Sequence, residues 1–107
     1  MILKEFNIKE LKMNGMKVGF ESGKVVVEVE HIPLFGIVTA CRTEWYVNVD
    51  FIETDLSALH KYKRAIDIEM VSEKGEELSG KVVVTAIEEK VFTELTGQGE
   101  LYGSGVK

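Results

Sequence analysis

The chain has 107 residues, 45% hydrophobic and 29% charged, which suits one domain, residues 1–107, with a single core and no deep pocket beside it. Thirteen basic against eighteen acidic side chains leave a net charge of −5 with no basic run, which argues against sequence-specific nucleic-acid binding. The single cysteine, Cys41, excludes an internal disulfide and a thiolate zinc cluster.

The opening residues, MILKEFNIKE, carry charges at positions 4, 5, 9 and 10 and have no apolar core of a signal peptide. No apolar run approaches the roughly 20 residues that cross a bilayer. The expected location is therefore the cytoplasm, or the virion if the chain is phage-derived, with no membrane partner.

Asn14-Gly15 then gives a hairpin signal between NIKELKM and MKVGFE. Ser22-Gly23 marks a turn before KVVVEVE, where Val25, Val27 and Val29 share a face opposite Lys24, Glu28 and Glu30. Pro33 cannot donate a ladder hydrogen bond, so HIPLFG is expected at an edge, a bulge or a connection. Phe35-Gly36-Ile37-Val38 opens a further strand to Ala40. In EWYVNVDFIE, Trp45, Val47, Val49 and Phe51 alternate with Glu44, Tyr46, Asn48 and Asp50.

Residues 54–64, TDLSALHKYKR, break the two-residue period. Leu56, Leu59 and Lys63 fall at helical spacing behind an N-cap at Thr54 or Asp55, and the cations of 60–64 suit the C-terminal end of the helix dipole. Strand alternation resumes with Ile66, Ile68 and Met70, pauses at the polar turn SEKGEELSG, and returns with Val82, Val84 and Ala86. The pattern predicts a mainly β fold: an antiparallel sandwich or small barrel of about seven or eight strands with one short helix at about 54–64.

The last stretch, FTELTGQGELYGSG (92–105), holds four of the ten glycines. It fails as a dinucleotide loop, because Tyr102 stands where a third glycine is needed and no helix follows. By twos, Gly97, Gly99, Leu101, Gly103 and Gly105 form one nearly bare face. Glycine in a strand usually marks close approach of something else: a bulky side chain such as Trp45, a neighbouring subunit, or nothing if the end frays.

No constellation declares a chemistry. His31, Cys41 and His60 match no metal-ligand spacing. Asp50, Glu53 and Asp55 read as a strand's solvent face followed by a helix start, with Ser57 and His60 one helical turn apart. No enzyme activity, cofactor, metal or small-molecule substrate is expected. His60, Lys61, Lys63 and Arg64 around Tyr62 form either a solvated helix end or a contact for an acidic partner, including another copy of this chain.

The segment GKVVVTAIEEKVFTELTGQGELYG (80–103) resembles the last strands of the major tail tube proteins of long-tailed phages: a hydrophobic strand, a short acidic link, then a strand ending in TGxGEL. The resemblance implies a β-sandwich with one flanking helix, assembled as hexameric rings that stack into a tube. Partners would then be copies of the chain or other tail proteins, and an acidic inner ring would keep passing DNA from sticking. No long loop or N-terminal arm of the kind that links such rings is evident in the sequence. The expected function is a non-enzymatic structural or assembly protein of a phage or prophage tail. Its interface would comprise Gly97, Gly99, Leu101, Gly103, Gly105, the edge at Ile32 and Phe35, and the helix end His60, Lys61, Lys63 and Arg64. The alternative is a small ligand- or peptide-binding β-domain, favoured if Phe35, Trp45, Tyr46 and Phe51 converge on one cavity.

Overall fold

Among the described residues seven strands and one helix follow in order: β1 (Ile2–Met13), β2 (Met16–Lys17), β3 (Ser22–Leu34), β4 (Ile37–Asp50), α1 (Ser57–Tyr62), β5 (Ile66–Ser72), β6 (Glu77–Glu88) and β7 (Phe92–Tyr102). They come from a computed structural model, which describes residues 2–34, 37–88 and 91–103; Phe35, Gly36 and Gly105 lie outside that range. Six strands close into an antiparallel barrel in the order β1-β3-β4-β7-β6-β5, with β5 returning to β1 and β2 added beside β1. Of the sandwich and barrel expected from the sequence, the barrel forms.

Closure depends on β1, which serves two neighbours. Its first half pairs with β3 (Phe6 opposite Val25) and its second half with β5 (Leu11 opposite Met70). A register shift between Ile8 and Glu10 falls at the changeover, where an extra residue bends a strand around a corner. The alternation read from the sequence then sorts inside from outside. Val25, Val27, Trp45, Val47, Val49, Ile66, Ile68, Met70, Val82, Val84 and Leu95 are buried in one continuous core. Each such side chain contributes about 1.5–3 kcal/mol on burial, so the strand faces supply the main folding force.

Local details correct the sequence reading in three places. Asn14 and Gly15 do make the hairpin turn, both at positive φ (50° and 81°), but the strand that follows is only Met16–Lys17. Phe51 does not extend the inward face of β4: its φ of 53° ends the strand after Asp50, and the ring is 50% exposed. The helix spans Ser57–Tyr62 rather than 54–64, because Lys63 adopts the left-handed conformation that stops it. Leu56 occupies the N-cap position and its side chain is buried, while the Asp55 carboxylate accepts the Ser57 N–H at 2.9 Å.

The longest ladder positions the candidate site. β3 and β4 pair from Ser22–Asp50 to Leu34–Ile37. Yet among the described residues β1 accompanies β3 only as far as Glu28, and β7 accompanies β4 only from Tyr46 onward. The remainder, 29–34 with 37–45, leaves the barrel as a two-stranded arm about 20 Å long at ~3.3 Å per residue. Pro33 sits opposite Val38 in this arm beside a register shift, the edge-and-bulge setting its missing donor requires. The extension is built as β-ladder, whose period-two sequence looks like any other strand pair.

Candidate functional site

Where the arm leaves the barrel, Trp45 fills the inside. Its ring is 3% exposed and lies across the inner faces of β7 and β6 at Gly97, which pairs with Val82, and at Gly80, which sits in the register shift between Ser79 and Lys81. A Cβ on Gly97 would collide with Trp45 Cε2, Cδ2 and Nε1, and one on Gly80 would stand 2.6 Å from Cζ2. The indole Nε1–H donates to the Gly99 carbonyl at 3.0 Å. The bare stretch of β7 therefore has an intramolecular cause at Gly97: glycine is the only residue that leaves room for the ring.

The one-faced pattern predicted for the other glycines does not persist. Gly99 has φ of 80° with open space around it, Leu101 packs against the core, and Gly103 has φ of 86° against the Glu77 carbonyl. A register shift between Ser79 and Lys81 on β6 accommodates this irregular run.

The same indole sits at a fork. β4 and β7 pair from Asp50–Phe92 to Tyr46–Thr96 and then part. Beyond that point β4 continues its ladder with β3, while Gly97, Gln98 and Tyr102 of β7 pair with Val82, Lys81 and Ser79 of β6. A shallow cavity of about 230 Å³ lies at the junction, lined by Glu44, Trp45, Tyr46, Glu94 and Thr96.

The outer rim of the fork is polar and acidic. Tyr46 donates its hydroxyl to Glu28 Oε1 at 3.2 Å. Burial, then this hydrogen bond, then the negative charges of Glu28, Glu94 and Glu5 push its phenol above the usual tyrosine range. Thr85 links to Glu94 Oε1 at 3.0 Å and to Thr96 Oγ1 at 2.9 Å, fixing the β7 side.

The remaining sequence candidates are scattered. Ile32 lies on the arm. His60, Lys61, Lys63 and Arg64 lie on and just after the helix, with the last three exposed and the histidine half-buried. The helix is linked to the end of β4 that carries Asp50, whereas the arm leaves at the Glu44 end. His31 and Cys41 are paired across the arm, away from His60. Among the described residues no group of three His, Cys, Asp or Glu side chains could hold a metal ion. The carboxylates Asp50, Glu53 and Asp55 do not pool: Asp50 accepts the Ser22 hydroxyl at 2.8 Å, Asp55 binds Ser57 N–H, and Glu53 lies against Gly19. Nor do the aromatics converge, since Trp45 points inward, Tyr46 outward, and Phe51 stands exposed at the other end of β4.

The sequence reading missed Gly80 as the second seat of the indole and Glu28, Glu44 and Glu94 around the fork. The seat at Gly80 is legible only once β6 and β7 are known to be neighbours.

No protein-family model, no curated protein and no solved structure matches the chain. Fold and site together define a class: a small closed antiparallel barrel with a filled interior and a β3–β4 ladder that continues beyond it.

Proposed function

We infer that this chain is a non-enzymatic assembly protein that joins copies of itself, or a structural partner, by strand addition. One observation carries the reading: among the described residues the β3–β4 ladder continues through 29–34 and 37–43, beyond the end of the β1–β3 ladder at Glu28 and of the β4–β7 ladder at Tyr46. Open strand edges are a liability that proteins ordinarily blunt or cover, because their free N–H and C=O groups template pairing with another chain. Here the ladder extends past both flanking strands for about 20 Å. The sequence of this segment also includes the apolar residues Ile32, Leu34, Ile37 and Val38. A phage or prophage tail component is the concrete setting that the resemblance of residues 80–103 suggests.

The competing ligand-binding reading needs a barrel interior or a convergent aromatic pocket. Trp45, Val47, Leu95 and their neighbours fill the interior, which leaves peptide capture at an open edge as its surviving form.

Sedimentation velocity on the full chain, and on a variant in which residues 29–43 are replaced by Asn-Gly, tests the proposal. The full chain should associate as concentration rises while the shortened one stays at the mass of one folded chain. Identical behaviour of the two would overturn it.

A further inference from the structure

Two surfaces away from the arm match each other in charge. The first is a hollow of about 510 Å³ on the outer wall, where β1, β5, β6 and the end of β7 lie side by side. Lys12, Glu69, Ser79 and Tyr102 stand opposite one another there in a single cross-strand row. Glu10 and Glu77 follow in the next row, one on each side of β5. Three exposed carboxylates thus share the hollow with one ammonium, and Tyr102, 61% exposed, stands beside them. None of these carboxylates forms an ion pair among the described residues. The row on the other side of Glu69 differs, because Asp67 there is answered by Lys81 at 3.6 Å. A hollow of this volume, within the roughly 300–1,000 Å³ typical of ligand sites, has room for more than one side chain.

The second surface is the helix end. Lys61, Lys63 and Arg64 are exposed, with Tyr62 among them at 67% exposure. The first turn of α1 holds no acidic residue, and the Lys61 ammonium lies over the Tyr62 ring, 5.5 Å from its centre. None of the three cations forms an ion pair among the described residues. The helix end leads into β5 at Ile66, and none of its residues lines the hollow farther along that strand. The chain does not fill its own hollow with its own cations.

We propose that the helix end of one copy, residues 61–64, docks into this hollow on a second copy. Lys63 and Arg64 meet Glu69 and Glu77, and Tyr62 packs on Tyr102. The opposed charges steer the approach and fix the register. Exposed ion pairs contribute little each, so the two tyrosines, a residue type that interfaces favour together with arginine, supply the buried contact. The proposal rests on the self-association in the reading above and not on the arm. Helix end and hollow are different surfaces of one chain, so the contact is heterologous and propagates into a ring or a filament.

The test treats a mixture of ordinary and ¹⁵N-grown full chains with a carbodiimide, which joins a carboxylate to an amine in contact with it. The expected adduct joins Glu69 or Glu77 of one copy to Lys61 or Lys63 of another. Two charge reversals extend the test: Glu69→Lys with Glu77→Lys, and Lys63→Glu with Arg64→Glu. Each reversed chain alone places like charges together and should associate about tenfold more weakly in sedimentation velocity. Mixed, the two reversed chains again oppose unlike charges, and association should return to that of the parent. Adducts only elsewhere, with association unchanged in both reversed chains, overturn the docking and leave strand addition standing. The adduct persisting when residues 29–43 are replaced by Asn-Gly, with association undiminished, supports the docking and overturns strand addition. A monomer at every concentration overturns both.

Discussion

Gly97→Ala is the perturbation in which the packing of the site is most sharply exposed. A single added methyl would fall inside the Trp45 ring at Cε2, Cδ2 and Nε1. The ring has no easy retreat, because Gly80 on β6 already touches its far edge and its N–H is bonded to Gly99. Overpacking a filled core costs about 1–3 kcal/mol, and displacing the indole also forfeits a hydrogen bond worth about 0.5–1.5 kcal/mol. Against this stands a gain of about 0.4–1 kcal/mol, because alanine restricts the unfolded chain. The net expectation is a loss of about 2 kcal/mol. Trp45 is the only tryptophan, so its fluorescence reads the site directly during urea unfolding. The variant should unfold at lower urea with native emission shifted to longer wavelength. Combining Gly97→Ala with Trp45→Phe should show a favourable coupling of about 0.5–3 kcal/mol, since the smaller ring vacates the space. A Gly97→Ala protein as stable as the parent, with unchanged emission, would refute the reasoning.

Other expectations concern the turn, the rim and the helix start. Asn14 holds φ of 50° and its side-chain oxygen accepts the Asp67 N–H at 3.1 Å, so Asn14→Ala should cost about 1–2 kcal/mol of conformational strain besides that bond, read by chemical denaturation. Glu28→Gln removes a charge next to the Tyr46 hydroxyl, and the phenol should then titrate at lower pH, followed by phenolate absorbance in a Tyr62→Phe, Tyr102→Phe background. An unmoved midpoint would contradict the assignment of the Glu28 contribution. The Ser57 backbone N–H, followed by its side chain, holds the Asp55 carboxyl below its usual range. A lowered folded pKa means the stabilisation is present above the unfolded carboxylate pKa and is lost as pH falls through the folded value. Asp55→Ala should therefore be less stable than the parent at neutral pH, with the gap closing in acid, as measured by thermal melts across that range.

The barrel was largely legible because each wall strand writes its inside and outside in alternate residues. Ile66, Ile68 and Met70 on β5, or Val82 and Val84 on β6, need no neighbour to declare which face is buried. The Asn14-Gly15 turn was equally local, since both positions must take positive φ. The arm was not legible as an arm: period two records that a segment is a strand, not whether other strands flank it, and only the end of the β1 and β7 ladders reveals its isolation. Phe51 misled for a related reason, because a single residue at positive φ ends an alternation that composition alone continues. The glycine run carried half its meaning in sequence. That something lies close to it, Trp45 among the candidates, could be read; choosing Trp45 over a neighbouring subunit requires the pairing of β4 with β7.

The central claim, that the arm makes this chain an assembly protein, is tested most directly by light scattering over a concentration series with electron micrographs of the same samples. The account predicts discrete multiples of the 12.0 kDa chain, with rings or filaments in the images. A particle of one chain's mass at every concentration, with featureless micrographs, would contradict it.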